Sequence, residues 1–98
     1  MILVKIHKTE FRDVVAVCDS DLIGKNFEQD GLQLNITERF YKGKPTGEDE
    51  LIRILRDAEI LNIVGKESIS IALKAGVISK QNIITIAGIP HAQFTTIE

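Results

Sequence analysis

A short run of aromatic and basic side chains contains the residues best suited to chemistry in this sequence. The run Arg39-Phe40-Tyr41-Lys42-Gly43-Lys44 places three cations and two aromatic rings within six residues. Aromatic rings stack on unpaired bases, and arginine or lysine side chains hold phosphates. The run therefore predicts a binding surface for RNA or a ribonucleoprotein, with Arg39, Lys42 and Lys44 on phosphates and Tyr41 stacked on a base. The alternative is a strand end with one buried ring and a solvated basic turn.

The junction Gly65-Lys66-Glu67 is a second candidate, because an apolar strand pattern changes there into a helical pattern. The start of a helix presents free backbone N–H groups and a partial positive charge, so an anion could bind beside Lys66. The alternative is a plain tight turn in which the Glu67 carboxylate satisfies the helix dipole.

His91 follows a proline and is a candidate for proton transfer near neutral pH. Residues at strand ends and helix starts gather at one edge of an α/β sheet. The alternative function is therefore a small-ligand or enzymatic site built from His91, Asp19 and residues 65–67. His91 could instead hydrogen-bond a backbone carbonyl and fix the bend. Because these signals do not reinforce one another, the sequence favours a binding module without catalysis and leaves an enzyme open.

Cys18 is the only cysteine in the sequence, and it ends an apolar run. It is expected to pack as a small hydrophobic residue, and a chain without a disulfide fits a reducing compartment. A Cys–His nucleophile would need a partner that no local pattern supplies. The sequence has no His-x-x-His or Cys-x-x-Cys spacing, so neither a metal nor another cofactor is predicted.

The elements that position these residues follow from hydrophobic periodicity. Apolar runs and alternation predict strands over residues 2–6, 14–18, 32–36, 60–64 and 83–86. Thr46 begins a pattern typical of a capping box, and the helix after it carries Leu51, Leu55 and Ala58 on one face. A second helix is predicted over 68–75, ending at Gly76, and a short helix or turn over 22–27.

This order of elements predicts an α/β or α+β fold: a single small domain over residues 1–98, with a mixed β-sheet, two main helices and one short helix.

Phe40 and Tyr41 would point to opposite faces if the strand before them continued. Residues 93–97 are expected to add an edge strand, through which a homodimer or a protein adaptor could form.

Composition limits the classes of partner. The 98 residues carry a formal net charge of −2, which argues against duplex DNA and anionic lipid surfaces. The start of the chain has no apolar stretch of the length that a secretory signal or a membrane-spanning helix requires. A cytoplasmic protein without a membrane partner is therefore expected.

Several phrases together resemble a known family. They are Val17-Cys18-Asp19 with Leu22 and Gly24, Phe40-Tyr41-x-Gly43, Asn62-Ile63-Val64-Gly65-Lys66-Glu67, and Gly88-Ile89-Pro90-His91-Ala92. In this order they are similar to a family of small archaeal proteins classified as a domain of unknown function. The resemblance covers nearly the whole chain and implies a cytoplasmic archaeal protein. It assigns no activity, cofactor or catalytic residue.

Overall fold

The computed structural model describes residues 1–95. The eight strands in this described part are β1 (Ile2–His7), β2 (Val14–Asp19), β3 (Asn26–Gln29), β4 (Leu32–Asn35), β5 (Lys44–Pro45), β6 (Ile60–Val64), β7 (Ile83–Ile86) and β8 (Ile89–Thr95). The three α-helices within residues 1–95 are α1 (Glu38–Tyr41), α2 (Glu48–Asp57) and α3 (Lys66–Ala75). Short 3-10 turns lie at Ser20–Leu22 and Lys80–Asn82.

Six strands form one mixed sheet in the order β5-β1-β2-β6-β8-β7, and β3 pairs with β4 as a separate hairpin. The central pair β2–β6 is parallel, whereas β1–β2, β1–β5, β6–β8 and β7–β8 are antiparallel. The predicted fold class is confirmed: a small α+β domain with a mixed sheet, two long helices and one short helix.

The sheet is covered differently on its two faces. Side chains of consecutive strand residues point to opposite faces, so Leu61 and Ile63 pack in one core and Val64 packs in the other. The first core lies between the sheet and α2 and α3. The second core lies under the β3–β4 hairpin and α1, and it includes the fully buried Ile36. We call these the helix face and the hairpin face.

Two local predictions need correction. The short helix or turn expected over 22–27 is a 3-10 turn at Ser20–Leu22 that does not continue to residue 27, because Gly24 adopts φ +83° and residues from Asn26 onward pair with β4. The helix expected to begin at a Thr46 cap begins after Gly47, while the Thr46 hydroxyl donates to the Lys44 carbonyl. Acidic residues 48–50 occupy the first turn of α2, where they interact favourably with the helix dipole.

The expected edge strand over 93–97 is also corrected. Its described part is the end of β8, an interior strand that pairs with β6 as far as Thr95. On its other side, β8 pairs with β7 only up to Ala92, so Gln93–Thr95 extend past β7. Residues 96 and 97 lie outside the described residues, and a homodimer through this segment stays a prediction. No helix within residues 1–95 has the length and apolar character needed to cross a membrane.

Candidate nucleic-acid interface

Helix α1 determines which ring of the aromatic-basic run reaches the surface. The Thr37 hydroxyl caps the helix by accepting from the Phe40 amide at 3.2 Å, so the chain turns instead of continuing β4. Tyr41 therefore points inward and is only 5% exposed. Burial, with a contribution from Cys18, raises the pKa of the Tyr41 phenol to about 12. The predicted role of Tyr41 in stacking on a base is wrong, because its ring belongs to the hairpin-face core.

Phe40 is the ring that stays near the surface, and it has an aromatic partner that the sequence analysis missed. It is half-buried and stacks on His7, with ring centroids 4.6 Å apart and planes 15° apart. The His7 Nε2 atom is hydrogen-bonded to the Phe40 carbonyl at 2.8 Å, which fixes the ring in this position. Tyr41 contacts Phe40 edge-on, at 4.8 Å and 79°.

The three predicted cations are exposed on the same short segment as Phe40. Arg39, Lys42 and Lys44 are all exposed. Lys42 lies 4.0 Å from Glu38, an exposed ion pair of the kind that contributes about 0–1 kcal/mol. Lys5 joins them, since its ammonium donates to the Arg39 carbonyl at 2.6 Å. We define the basic-aromatic surface as these side chains together: Lys5, His7, Arg39, Phe40, Lys42 and Lys44.

Strand β5 holds the C-terminal end of this surface against β1. Lys44 pairs with Val4 in the β1–β5 register. Gly43 permits this approach, since a Cβ added there would lie 1.9 Å from the Val4 carbonyl oxygen. Beside it is a depression of about 430 Å³, lined by Lys5, Gly43 and Lys44 and, farther in, by Val4, Ile6, Pro45, Thr46, Glu50 and Ile54.

The start of α3 is not available to an external anion, which corrects the prediction for Gly65, Lys66 and Glu67. The Asp19 carboxylate accepts from the amide of Glu67 at 3.1 Å and from the amide of Ser68 at 2.9 Å. It also accepts from the Ser68 hydroxyl at 2.7 Å, and Asp19 is 8% exposed. The chain therefore supplies its own anion to this helix.

Gly65 makes this arrangement possible. It adopts φ +111°, and a Cβ at this position would lie 2.4 Å from the Asp19 carboxyl carbon. Its amide donates to the Pro90 carbonyl at 3.0 Å, which joins the start of α3 to β8.

His91 does not complete a site with Asp19. It pairs with Val64 and shares the hairpin face with it, whereas Asp19 reaches across the helix face to cap α3. Within the described residues, neither ring nitrogen of His91 has a hydrogen-bond partner, so the expected bond to a backbone carbonyl is not present. Burial lowers the pKa of His91 below its usual value, which keeps the ring neutral at physiological pH.

Cys18 is fully buried, as expected for a small core residue. Burial, together with Asp19 and Asp21, raises the pKa of its thiol to about 12, so the thiolate needed for nucleophilic attack is not populated at neutral pH. Residues 1–95 contain no group of three or more His, Cys, Asp or Glu side chains that could hold a metal ion.

The fold and the surface define a small α+β domain with a cationic, aromatic edge beside a short helix. The chain belongs to the family described as "Protein of unknown function (DUF424)", whose model matches residues 7–97. It is similar to the crystal structure of an uncharacterized conserved protein from Methanopyrus kandleri, with 30% identity and a TM-score of 0.80. That similarity covers 99% of this chain and 94% of the other. No protein with a curated description matches the sequence.

Proposed function

We propose that this protein is a non-catalytic RNA-binding module that works in the cytoplasm of an archaeal cell. The observation that carries the proposal is the basic-aromatic surface, which combines the stacked rings of His7 and Phe40 with four cations on or beside the same segment. The cations are Lys5, Arg39, Lys42 and Lys44.

The chemistry of this surface suits single-stranded RNA. Lysine and arginine neutralise phosphates, and unpaired bases stack on aromatic side chains for about 1–3 kcal/mol per base. The stacked pair of His7 and Phe40 provides a fixed ring system, because the His7 ring is held by the Phe40 carbonyl. A base stacks here without paying to order a flexible aromatic side chain.

A labelled single-stranded RNA of about 12 nucleotides, observed by fluorescence anisotropy at low salt, tests the proposal. The triple variant Arg39→Ala/Lys42→Ala/Lys44→Ala is expected to bind at least about tenfold more weakly than the unmodified protein. The matched control is Arg53→Ala/Lys66→Ala/Lys80→Ala, which removes the same residue types from exposed positions elsewhere. Absence of binding by the unmodified protein, or an equal loss in both triple variants, would overturn the proposal.

Aromatic variants separate stacking from charge. Phe40→Leu keeps an apolar side chain at the half-buried position and is expected to weaken binding about fivefold or more. Tyr41→Phe keeps the buried ring of the neighbouring residue and is expected to leave binding unchanged. If Phe40→Leu binds RNA normally while the triple variant does not, the surface is purely electrostatic and the stacking part of the proposal is wrong. If this surface binds a protein instead of RNA, the unmodified protein shows no measurable affinity for RNA, and the variants then have no RNA affinity to change.

A further inference from the structure

The hairpin face of the sheet extends the basic-aromatic surface toward β8. The strand registers align His7 with Val14, Val14 with Ile60, and Ile60 with Thr95, and all four residues are at least partly exposed. These residues therefore form a row across β1, β2, β6 and β8. Adjacent strands lie about 4.8 Å apart, so the row is about 14 Å long. Its first member, His7, belongs to the basic-aromatic surface, and the amides of Asn62 and Gln93 lie beside its last two members, on the same face of β6 and β8.

The amides of Asn62 and Gln93 form an accessible polar pair. Gln93 is exposed and Asn62 is half-buried, and the Gln93 amide nitrogen donates to the Asn62 Oδ1 at 2.9 Å. That bond uses one donor and one acceptor, whereas each primary amide has two N–H donors and an oxygen with two lone pairs. A shallow depression of about 290 Å³ lies over the pair, lined by Ile60, Leu61, Asn62, Gln93, Phe94 and Thr95.

The charge on this part of the sheet complements a polyanion. On the hairpin face, the end of β1, β2, β6 and β8 that includes His7 and Thr95 carries no carboxylate among its side chains. These side chains are Lys5, His7, Val14, Ala16, Ile60, Asn62, Gln93 and Thr95. A cavity on the helix face at the same end is lined by Asp13, Asp57 and Glu59 together with Arg12, which pairs with Glu59 at 3.0 Å. The carboxylates of this end therefore lie on the helix face.

We propose that single-stranded RNA continues from the basic-aromatic surface along this row, and that the Asn62–Gln93 pair reads an adenine. This inference rests on the proposed function. Asn and Gln pair with adenine by donating to its ring acceptor N7 and accepting from its amino group N6. Single-stranded RNA exposes these edges because its bases are unpaired. The partly exposed end of this sheet face is a platform on which such bases lie.

The test compares adenine-rich with uracil-rich RNA of equal length and charge. The unmodified protein is expected to prefer the adenine-rich RNA by at least about fivefold, the low end of discrimination by an amide contact. Gln93→Glu, which removes the donor and adds a negative charge, is expected to abolish that preference and to weaken binding. Gln33→Glu is the matched control, since Gln33 is an exposed strand residue on β4 with the same change of charge.

The outcomes separate the two proposals. If the protein binds RNA through Arg39, Lys42 and Lys44 but Gln93→Glu and Gln33→Glu behave alike, the inference is wrong and the proposed function stands. If the unmodified protein binds no RNA, both fail. A second readout is the NMR spectrum of the side-chain amides, in which the Asn62 and Gln93 NH₂ signals are expected to shift on titration with adenine-rich RNA. Unmoved signals at saturation would also overturn the inference.

Discussion

Asp19 connects two distant parts of the chain, because a carboxylate at the end of β2 caps α3. Loss of an N-cap costs about 0.5–2 kcal/mol, and a buried donor left without an acceptor costs about 1–3 kcal/mol. Asp19→Ala is therefore expected to lower the free energy of unfolding by about 2–4 kcal/mol, measured by urea denaturation at neutral pH. Asp21→Ala, at an exposed position two residues later, is the control and should change stability by less than about 0.5 kcal/mol. Equal effects of the two substitutions would contradict this role.

Gly65 adopts a backbone conformation that is nearly exclusive to glycine, with φ 111° and ψ 152°. Gly65→Ala adds backbone strain and pushes its Cβ into the Asp19 carboxylate. Gly76→Ala is the comparison, because φ is also positive there but nothing lies within 4 Å of the added Cβ. We expect Gly65→Ala to cost about 2 kcal/mol more than Gly76→Ala in thermal or urea unfolding. A smaller loss at Gly65 would show that the Asp19 contact is dispensable.

His91 makes the stability of the fold depend on pH. Burial lowers the pKa of His91 in the folded chain, whereas a histidine in the unfolded chain has a pKa of about 6.5. Below that pH the unfolded state binds more protons, so stability is fully present above about 6.5 and falls as the pH drops toward the lower folded pKa. His91→Phe is expected to lose less stability than the unmodified protein between about pH 7.5 and pH 5.5, measured by urea midpoints. Identical losses in the two proteins would mean that His91 is not responsible.

At the level of elements, the two-residue strand β5 positions the end of the basic-aromatic surface through a close approach at Gly43. A Cβ at this residue would overlap the Val4 backbone, so Gly43→Ala must separate β5 from β1. We expect a loss of about 1–3 kcal/mol, the usual cost of overpacking, together with weaker RNA binding because Lys44 is displaced. Gly47→Ser is the control: nothing lies within 4 Å of its Cβ, and the added hydroxyl can cap α2. A stable Gly43→Ala variant would refute the account.

The longer elements could be predicted from the sequence because their apolar residues form a continuous run or repeat with the period of a helix. This holds for β6, an apolar run interrupted only by Asn62, and for α2, whose buried Leu51 and Leu55 are one turn apart. The β3 strand was missed because three of its four residues are exposed, so its pattern carries no buried face. Helix α1 is only four residues long and is set by the Thr37 cap, which periodicity cannot detect.

The candidate site was predictable in part. The exposure of Arg39, Lys42 and Lys44 agrees with the prediction, since isolated lysine and arginine side chains rarely lie in a core. The choice between Phe40 and Tyr41 failed because a helical turn rotates neighbouring side chains by about 100°, whereas a strand places them on opposite faces. His7 is 33 residues from Phe40 in sequence, so only the tertiary structure brings it to the site.

For the whole molecule, the net charge of −2 conceals local differences in charge. Asp13, Asp57 and Glu59 line one cavity together with Arg12, while Lys5 and Lys44 line the depression beside β5 together with Glu50. A modest net charge with a local cationic surface gives weak long-range attraction and short-range phosphate contacts. Duplex RNA is therefore expected to bind more weakly than a single strand, because its stacked bases cannot reach the ring pair of His7 and Phe40.

The dependence of RNA affinity on salt measures how many phosphates this surface contacts. Each phosphate neutralised on a single strand contributes a slope of about −0.7 to the logarithm of affinity against the logarithm of salt concentration. Four contacts by Lys5, Arg39, Lys42 and Lys44 set an expected slope of about −2.8, and Arg39→Ala/Lys42→Ala/Lys44→Ala should reduce its magnitude by about 2. The Arg53→Ala/Lys66→Ala/Lys80→Ala control should keep the original slope, because its cations lie outside the surface. Equal slopes in the two triple variants would mean that the attraction comes from overall charge and that no localised phosphate track exists.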